Sequence, residues 1–209
     1  MVVASAALSD KTDWLSLFGS LIGVTALIFV AKGDVLGQVL TVAFSLFYAV
    51  VSFTFSYYGE MATYLLMTMP IALLSVVSWI RNPYGEEKSQ VKVNYLSAGQ
   101  IRLLFLLGGI VTVLFYFILK SFHTNNLFFS TLSVLTSFLA SSLMFKRSPF
   151  YALAYASNDV VLIILWILAS MEDMKYLPMV VCFLVFLIND LYGYVNWIRM
   201  GKQQNLTFS

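Results

Sequence analysis

A chain of 209 residues that is 60% hydrophobic and only 11% charged is not an ordinary soluble domain, in which about 25% of residues carry charge. The deficit runs through most of the length, which predicts a polytopic membrane protein and excludes a soluble domain on one anchor. The net charge of +2 says little alone, the single Cys182 rules out an intramolecular disulfide or a thiolate metal cage, and the lone His123 in a short polar loop argues against a histidine metal site.

A helix needs about 20 apolar residues to cross the hydrocarbon, and seven runs qualify or nearly do. The first, Trp14–Ala31, begins without a basic leader or a small-residue cleavage pattern and is predicted as a retained helix. Lys32-Gly33-Asp34 separates it from Val35–Tyr58, and Gly59-Glu60 separates that from Met61–Ile80. Pro70 makes the third run the best hinge candidate, since proline frees a carbonyl or allows bending. A polar stretch from Arg81 to Arg102 precedes the fourth run, Leu103–Leu119, predicted with the first to be the shortest. Lys120 to Asn126 leads to Leu127–Phe145, Lys146-Arg147-Ser148-Pro149 to Phe150–Met171, and Glu172-Asp173-Met174-Lys175 to Tyr176–Ile198, with Pro178 in its first turn.

Lys and Arg divide unevenly between the two sides. The N-terminus and even loops hold Lys11, Lys120 and Lys175; the odd loops and the C-terminus hold the other nine. The positive-inside rule then predicts the N-terminus outside and the C-terminus in the cytosol.

The chain also rhymes with itself. Val77-Ser78-Trp79-Ile80-Arg81 closes the third run and Val195-Asn196-Trp197-Ile198-Arg199 closes the seventh, 118 residues later. This predicts an all-α membrane protein of seven helices in a 3+1+3 parallel repeat: a first bundle over 14–80, a loop and linker helix over 81–126, and a second bundle over 127–198. Like-oriented halves about an axis along the membrane normal are the arrangement of SWEET-type transporters. Trp79 and Trp197 are expected to be interfacial anchors, a common role for tryptophan at helix ends. Gln38 and Glu60 are expected at solvated helix ends.

The chemistry concentrates in the last two runs. Tyr151, Tyr155, Asn158, Asp159, Leu162 and Trp166 fall on one stripe at helical period. On the seventh run Asn189 and Asn196 share a face, with Asp190 one step round and Tyr192 close by. Asp159 and Asp190 each lie about 12–13 Å from the inner surface at 1.5 Å per residue, so two carboxyls and two amides meet at one depth. A carboxylate in hydrocarbon costs roughly 2.5 kcal/mol or more, which marks these groups as a candidate site. Amides and carboxylates receive hydroxyls, and aromatic faces stack on flat or cationic rings. The alternative is that the same groups only tie helices together. Among phosphate loops, zinc-protease helices and serine elbows, none is present, so ATP hydrolysis and those enzyme classes are not expected, nor is a cofactor or nucleic-acid partner; transport is then passive or ion-coupled, and the two aspartates keep proton coupling open.

Asn158-Asp159 through Trp166, and Leu187-Ile188-Asn189-Asp190-Leu191-Tyr192-Gly193-Tyr194-Val195-Asn196-Trp197, resemble the closing signature of the PnuC family of bacterial vitamin transporters. The resemblance extends over roughly residues 14 to 200, with Tyr57-Tyr58-Gly59-Glu60 and Trp79 similar in layout. It implies the SWEET-like fold and facilitated diffusion of nicotinamide riboside across the bacterial plasma membrane, with a separate cytosolic kinase trapping the product. It also implies a small homo-oligomer in the lipid bilayer and a substrate site at Tyr151, Tyr155, Asn158, Asp159, Trp166, Asn189, Asp190, Tyr192 and Asn196. Tyr151 and Tyr155 stand where members often carry tryptophan and asparagine, which keeps thiamine or riboflavin open as the vitamin. A non-transporting membrane scaffold, docking through the Arg81–Arg102 loop, is the reading from another class.

Overall fold

The structure, a computed structural model, describes residues 14–54, 58–85, 90–124, 126–172, 174 and 177–206. Among these the chain is helical, with two isolated bridges and no strand. Helices α1 (Trp14–Ala31) and α2 (Val35–Thr54) come first. Helix α3 is built of three consecutive pieces: Tyr58–Thr63, a π-helical stretch Tyr64–Thr68, and Met69–Ile80. Then follow α4 (Ala98–Ser121), α5 (Leu127–Phe145), α6 (Tyr151–Glu172) and α7 (Leu177–Leu206). Among the described residues five apolar stretches are long enough to cross a membrane, in α3 to α7; α1 and α2 contribute shorter ones over Leu21–Ala31 and Val35–Val50.

The apolar runs became helices, but several ends moved for local reasons. Helix α4 is among the longest and not the shortest, because Ser97 starts it early. Ser97 Oγ accepts from Gln100 N while Gln100 Oε1 accepts from Ser97 N at 2.9 Å, a reciprocal capping box. Helix α7 runs on past Ile198 to Leu206, because its polar tail continues the helical turns beyond membrane length. The π stretch lies just before Pro70, which sits in the first turn of Met69–Ile80. A proline lacks the N–H for the normal ladder and crowds the carbonyl of the preceding turn, and widening that turn relieves both.

Six helices pack in a ring, α1 to α2 to α3 to α5 to α6 to α7 and back to α1. Helix α4 lies outside, against α5, and turns Leu103, Phe105, Leu106, Val113, Leu114 and Phe117 outward. One end of the ring is formed by residues 32–34, 81–85, 90–97, 146–150 and the end of α7; we call it the basic end.

The basic end is sealed by two matching sets of bonds. Trp79 Nε1 donates to the Met144 carbonyl at 3.1 Å, and Trp197 Nε1 to the Val30 carbonyl at 2.9 Å. Beside them Ser78 Oγ donates to Phe145 O at 3.0 Å and Asn196 Nδ2 to Ala31 O at 2.8 Å. The acceptors are the last carbonyls of α5 and α1, which no residue of their own helix reaches. Each helix ends in the same left-handed turn, at Gly33 (φ 71°) and Arg147 (φ 59°). Their N–H groups bond back to Val30 O and Met144 O, each at 2.9 Å. Glycine takes that conformation freely, whereas an arginine held there costs roughly 1–2 kcal/mol.

Trp79 and Trp197 are therefore not interfacial anchors. Both are fully buried, their rings 5.4 Å apart, in one cluster with Val91, Met144, Tyr151 and Met200. Gln38 is likewise no solvated helix end: it is 0% exposed and donates to Met144 Sδ. The Glu60 side chain lies outside the described ones.

Candidate functional site

The ring encloses a cavity of about 450 Å³, inside the range of roughly 300–1,000 Å³ typical of small-molecule sites. It starts at the exposed loop residues His123 and Asn126, at the end opposite the basic one, and runs down to Val30, Met144 and Tyr155 above the tryptophan seal.

Helices α6 and α7 supply its charge. Asp159 and Asp190 both line the cavity, 3% and 4% exposed, and their carboxyl groups lie within hydrogen-bonding reach of each other. Matched depth on neighbouring helices, read from the count of residues, brings them together. Asp159 Oδ2 is buried and has no donor facing it among the described residues. Two carboxyls this close cannot both carry a full negative charge without cost, and a positive charge brought against the pair from the cavity lowers that cost. Asn189, the chain neighbour of Asp190, lies within hydrogen-bonding reach of its carboxyl and does not line the cavity.

Helix α5 supplies hydroxyls. Ser130, Ser133, Ser137 and Ser141 line the cavity along its depth, at the spacing of one helix face. This stripe was missed in the sequence, where serine in an apolar run carries no weight until its face is known; its period was nonetheless legible. Thr136 Oγ1 and Ser137 Oγ donate to Asn158 Oδ1 at 2.7 and 3.1 Å. With its carbonyl oxygen engaged, Asn158, 5% exposed, presents its N–H groups to the cavity. Ser141 Oγ lies 3.0 Å from the Tyr155 hydroxyl. Replacing Thr136 by Val together with Ser137 by Ala frees the Asn158 amide to turn, and ligand affinity is expected to fall about tenfold. Titration of the purified double variant, compared with Thr136→Ser, measures it.

Aromatic rings complete the wall: Phe44, Tyr64, Trp166, Phe183 and Phe186 line it together with Tyr155. Of these only Trp166 and Tyr155 belong to the expected site. The rest lie on α2, α3 and α7, and bulky apolar residues on such helices are ordinary core until a cavity singles them out.

Of the nine expected site residues, Tyr155, Asn158, Asp159, Trp166 and Asp190 line the cavity, and four do not. Asn189 is the neighbour of Asp190 described above. Tyr151 is 1% exposed and lies below the floor, edge-on to Trp197 at 5.0 Å. Asn196 is taken by the Ala31 carbonyl. Tyr192 is 57% exposed on the outer face of α7, two residues round from Asp190 and so on the far side of the helix. Tyr192→Ala is expected to change ligand affinity less than about twofold, which the same titration reads.

The family described as nicotinamide mononucleotide transporter matches this chain over residues 13–199. The nicotinamide riboside transporter PnuC of Neisseria mucosa is 26% identical over 200 residues, which is 94% of this chain and 76% of that protein. The nicotinamide riboside transporter PnuC of Haemophilus influenzae is 23% identical over 194 residues, 92% of this chain and 83% of that one. A crystal structure of the vitamin B3 transporter PnuC is similar with a TM-score of 0.81 and 25% identity, covering 98% of this chain and 90% of that one.

Proposed function

The chain belongs to the nicotinamide mononucleotide transporter family, and from that premise we propose that it is a multi-pass membrane permease that passes nicotinamide riboside by facilitated diffusion. The observation that carries the choice of cargo is the charge of the cavity wall. Among its described lining residues are two aspartates, one histidine at the mouth, and no Lys or Arg. Nicotinamide riboside has a flat cationic pyridinium, a neutral carboxamide and ribose hydroxyls. The ring suits the aromatic wall, its positive charge suits Asp159 and Asp190, and the hydroxyls suit the unpartnered Asp159 oxygen and the serine stripe. A phosphorylated nucleotide would bring two further negative charges against those acids with no cation to meet them, so the riboside and not the mononucleotide is the cargo.

The substrate residues on this reading are Tyr155, Asn158, Asp159, Trp166 and Asp190, with Asn189 positioning Asp190. The SWEET-like 3+1+3 arrangement is supported by the six-helix ring with α4 outside it and by the paired tryptophan and carbonyl bonds at the ends of α3 and α7. The basic end faces the cytosol, which makes the cavity outward-facing. A cytosolic kinase traps the cargo after entry, and the protein assembles as a small homo-oligomer.

Purified protein in liposomes tests this. Labelled nicotinamide riboside is expected to enter without ATP or an ion gradient, with nicotinamide mononucleotide more than about a hundredfold poorer. Equal uptake of the two, or of thiamine in preference to both, would refute the assignment of cargo.

A further inference from the structure

The seal at the basic end is crossed by a strap. Residues 90–97 are not helical, yet Val91 is 0% exposed and packs into the cluster that holds Trp79 and Trp197. The strap is pinned to both sides of the ring. Val91 N donates to Gly33 O at 2.9 Å, just beyond α1. Asn94 N donates to Arg147 O at 3.0 Å, and Asn94 Nδ2 to Lys146 O at 3.1 Å, just beyond α5. A third pin comes from the extension of α7. Gln204, 4% exposed, accepts from Val93 N at 2.7 Å and donates to Val91 O at 3.1 Å. One side chain thus satisfies two backbone groups of the strap, as a neighbouring strand would.

Passage through this end requires the two tryptophan rings to part, which they cannot do while Val91 sits in their cluster and one segment ties the end of α1 to the end of α5. Gln204 also stands on the same continuous helix as Asp190, about 20 Å further along. A shift of α7 when cargo meets Asp190 is therefore carried to the strap by a rigid rod.

We propose that residues 90–97 are the latch of the gate at the basic end and that Gln204 is the residue that holds it shut. This rests on the transport reading above. The latched strap closes one end while the cavity faces the other; release of Gln204 lets Val91 withdraw and the halves separate.

A disulfide between Val93→Cys and Gly201→Cys tests it, in a Cys182→Ala background. A Cβ built on Gly201 lies 3.3 Å from Val93 Cγ1, close to the spacing a disulfide needs; the Tyr95 hydroxyl, also near it, belongs to an exposed side chain that swings aside. Oxidised protein is expected to bind nicotinamide riboside within about twofold of its reduced form but to lose uptake more than about tenfold, with dithiothreitol restoring it. Fully cross-linked protein that transports at the reduced rate would overturn the latch. Reduced protein that neither binds nor transports the riboside would instead refute the cargo.

A second arm needs no cargo. In vesicles exposing the basic end, Ser141→Cys in the cavity is expected to react with a membrane-impermeant maleimide about tenfold faster when Gln204→Ala is added. No acceleration would also overturn the proposal.

Discussion

Asp159→Ala is expected to lower riboside affinity and uptake roughly 10- to 100-fold, the worth of one hydrogen bond to a charged acceptor at about 1.5–3 kcal/mol. The residue touches the cavity, faces Asp190, and carries an oxygen with no donor facing it among the described residues. That oxygen makes no hydrogen bond among the described residues, so losing it costs binding more than it costs the fold. The melting temperature of the ligand-free variant should therefore stay level or rise, because one of two buried acids in contact is gone. Asp159→Asn keeps an acceptor but loses the charge, and should fall between Ala and wild type. Uptake into liposomes together with thermal melts of solubilised protein measures both quantities. An unaltered uptake in Asp159→Ala would place the cargo elsewhere; a collapse of the melting temperature would make the acid pair structural glue.

The second large effect concerns the seal. Trp197→Ala should destabilise the solubilised protein by about 3–5 kcal/mol, the range for removing a large buried aromatic. Trp197 is 0% exposed, packs on Trp79 and Tyr151, and donates to Val30 O. Trp197→Phe keeps most of the ring contact but leaves that carbonyl bare, at about 1–3 kcal/mol. Trp79→Ala should cost a similar amount, and the double substitution less than the sum, since the two rings touch. An interfacial anchor would behave differently, with changes inside about 0.5 kcal/mol. Denaturant melts of the four proteins distinguish the two roles.

Helix existence was legible because a membrane-length apolar run has no other satisfactory structure: its backbone must bond to itself. The depth of Asp159 and Asp190 was legible for the same reason, since rise per residue is fixed. Helix rotation was legible only in part. The stripe through Tyr155, Asn158, Asp159 and Trp166 faces the cavity as its period required, yet Tyr151 on the same stripe ends below the floor, and Asn196 is drawn off to a carbonyl of α1. The repeated Ser-Trp-Ile-Arg and Asn-Trp-Ile-Arg endings were visible, but not that each tryptophan crosses to a helix far away in the chain.

Amino-acid order alone specifies a membrane protein of apolar helices with two acids at one level, because hydrocarbon imposes length and local bonding on each segment independently. Which faces meet is set by the packing of one segment on another. Whether a serine on α5 lines a cavity, a tryptophan seals an end or Gln204 grips the strap depends on contacts between different segments, in the cases of Trp197 and Gln204 more than a hundred residues apart, and no periodicity within one segment encodes its neighbour.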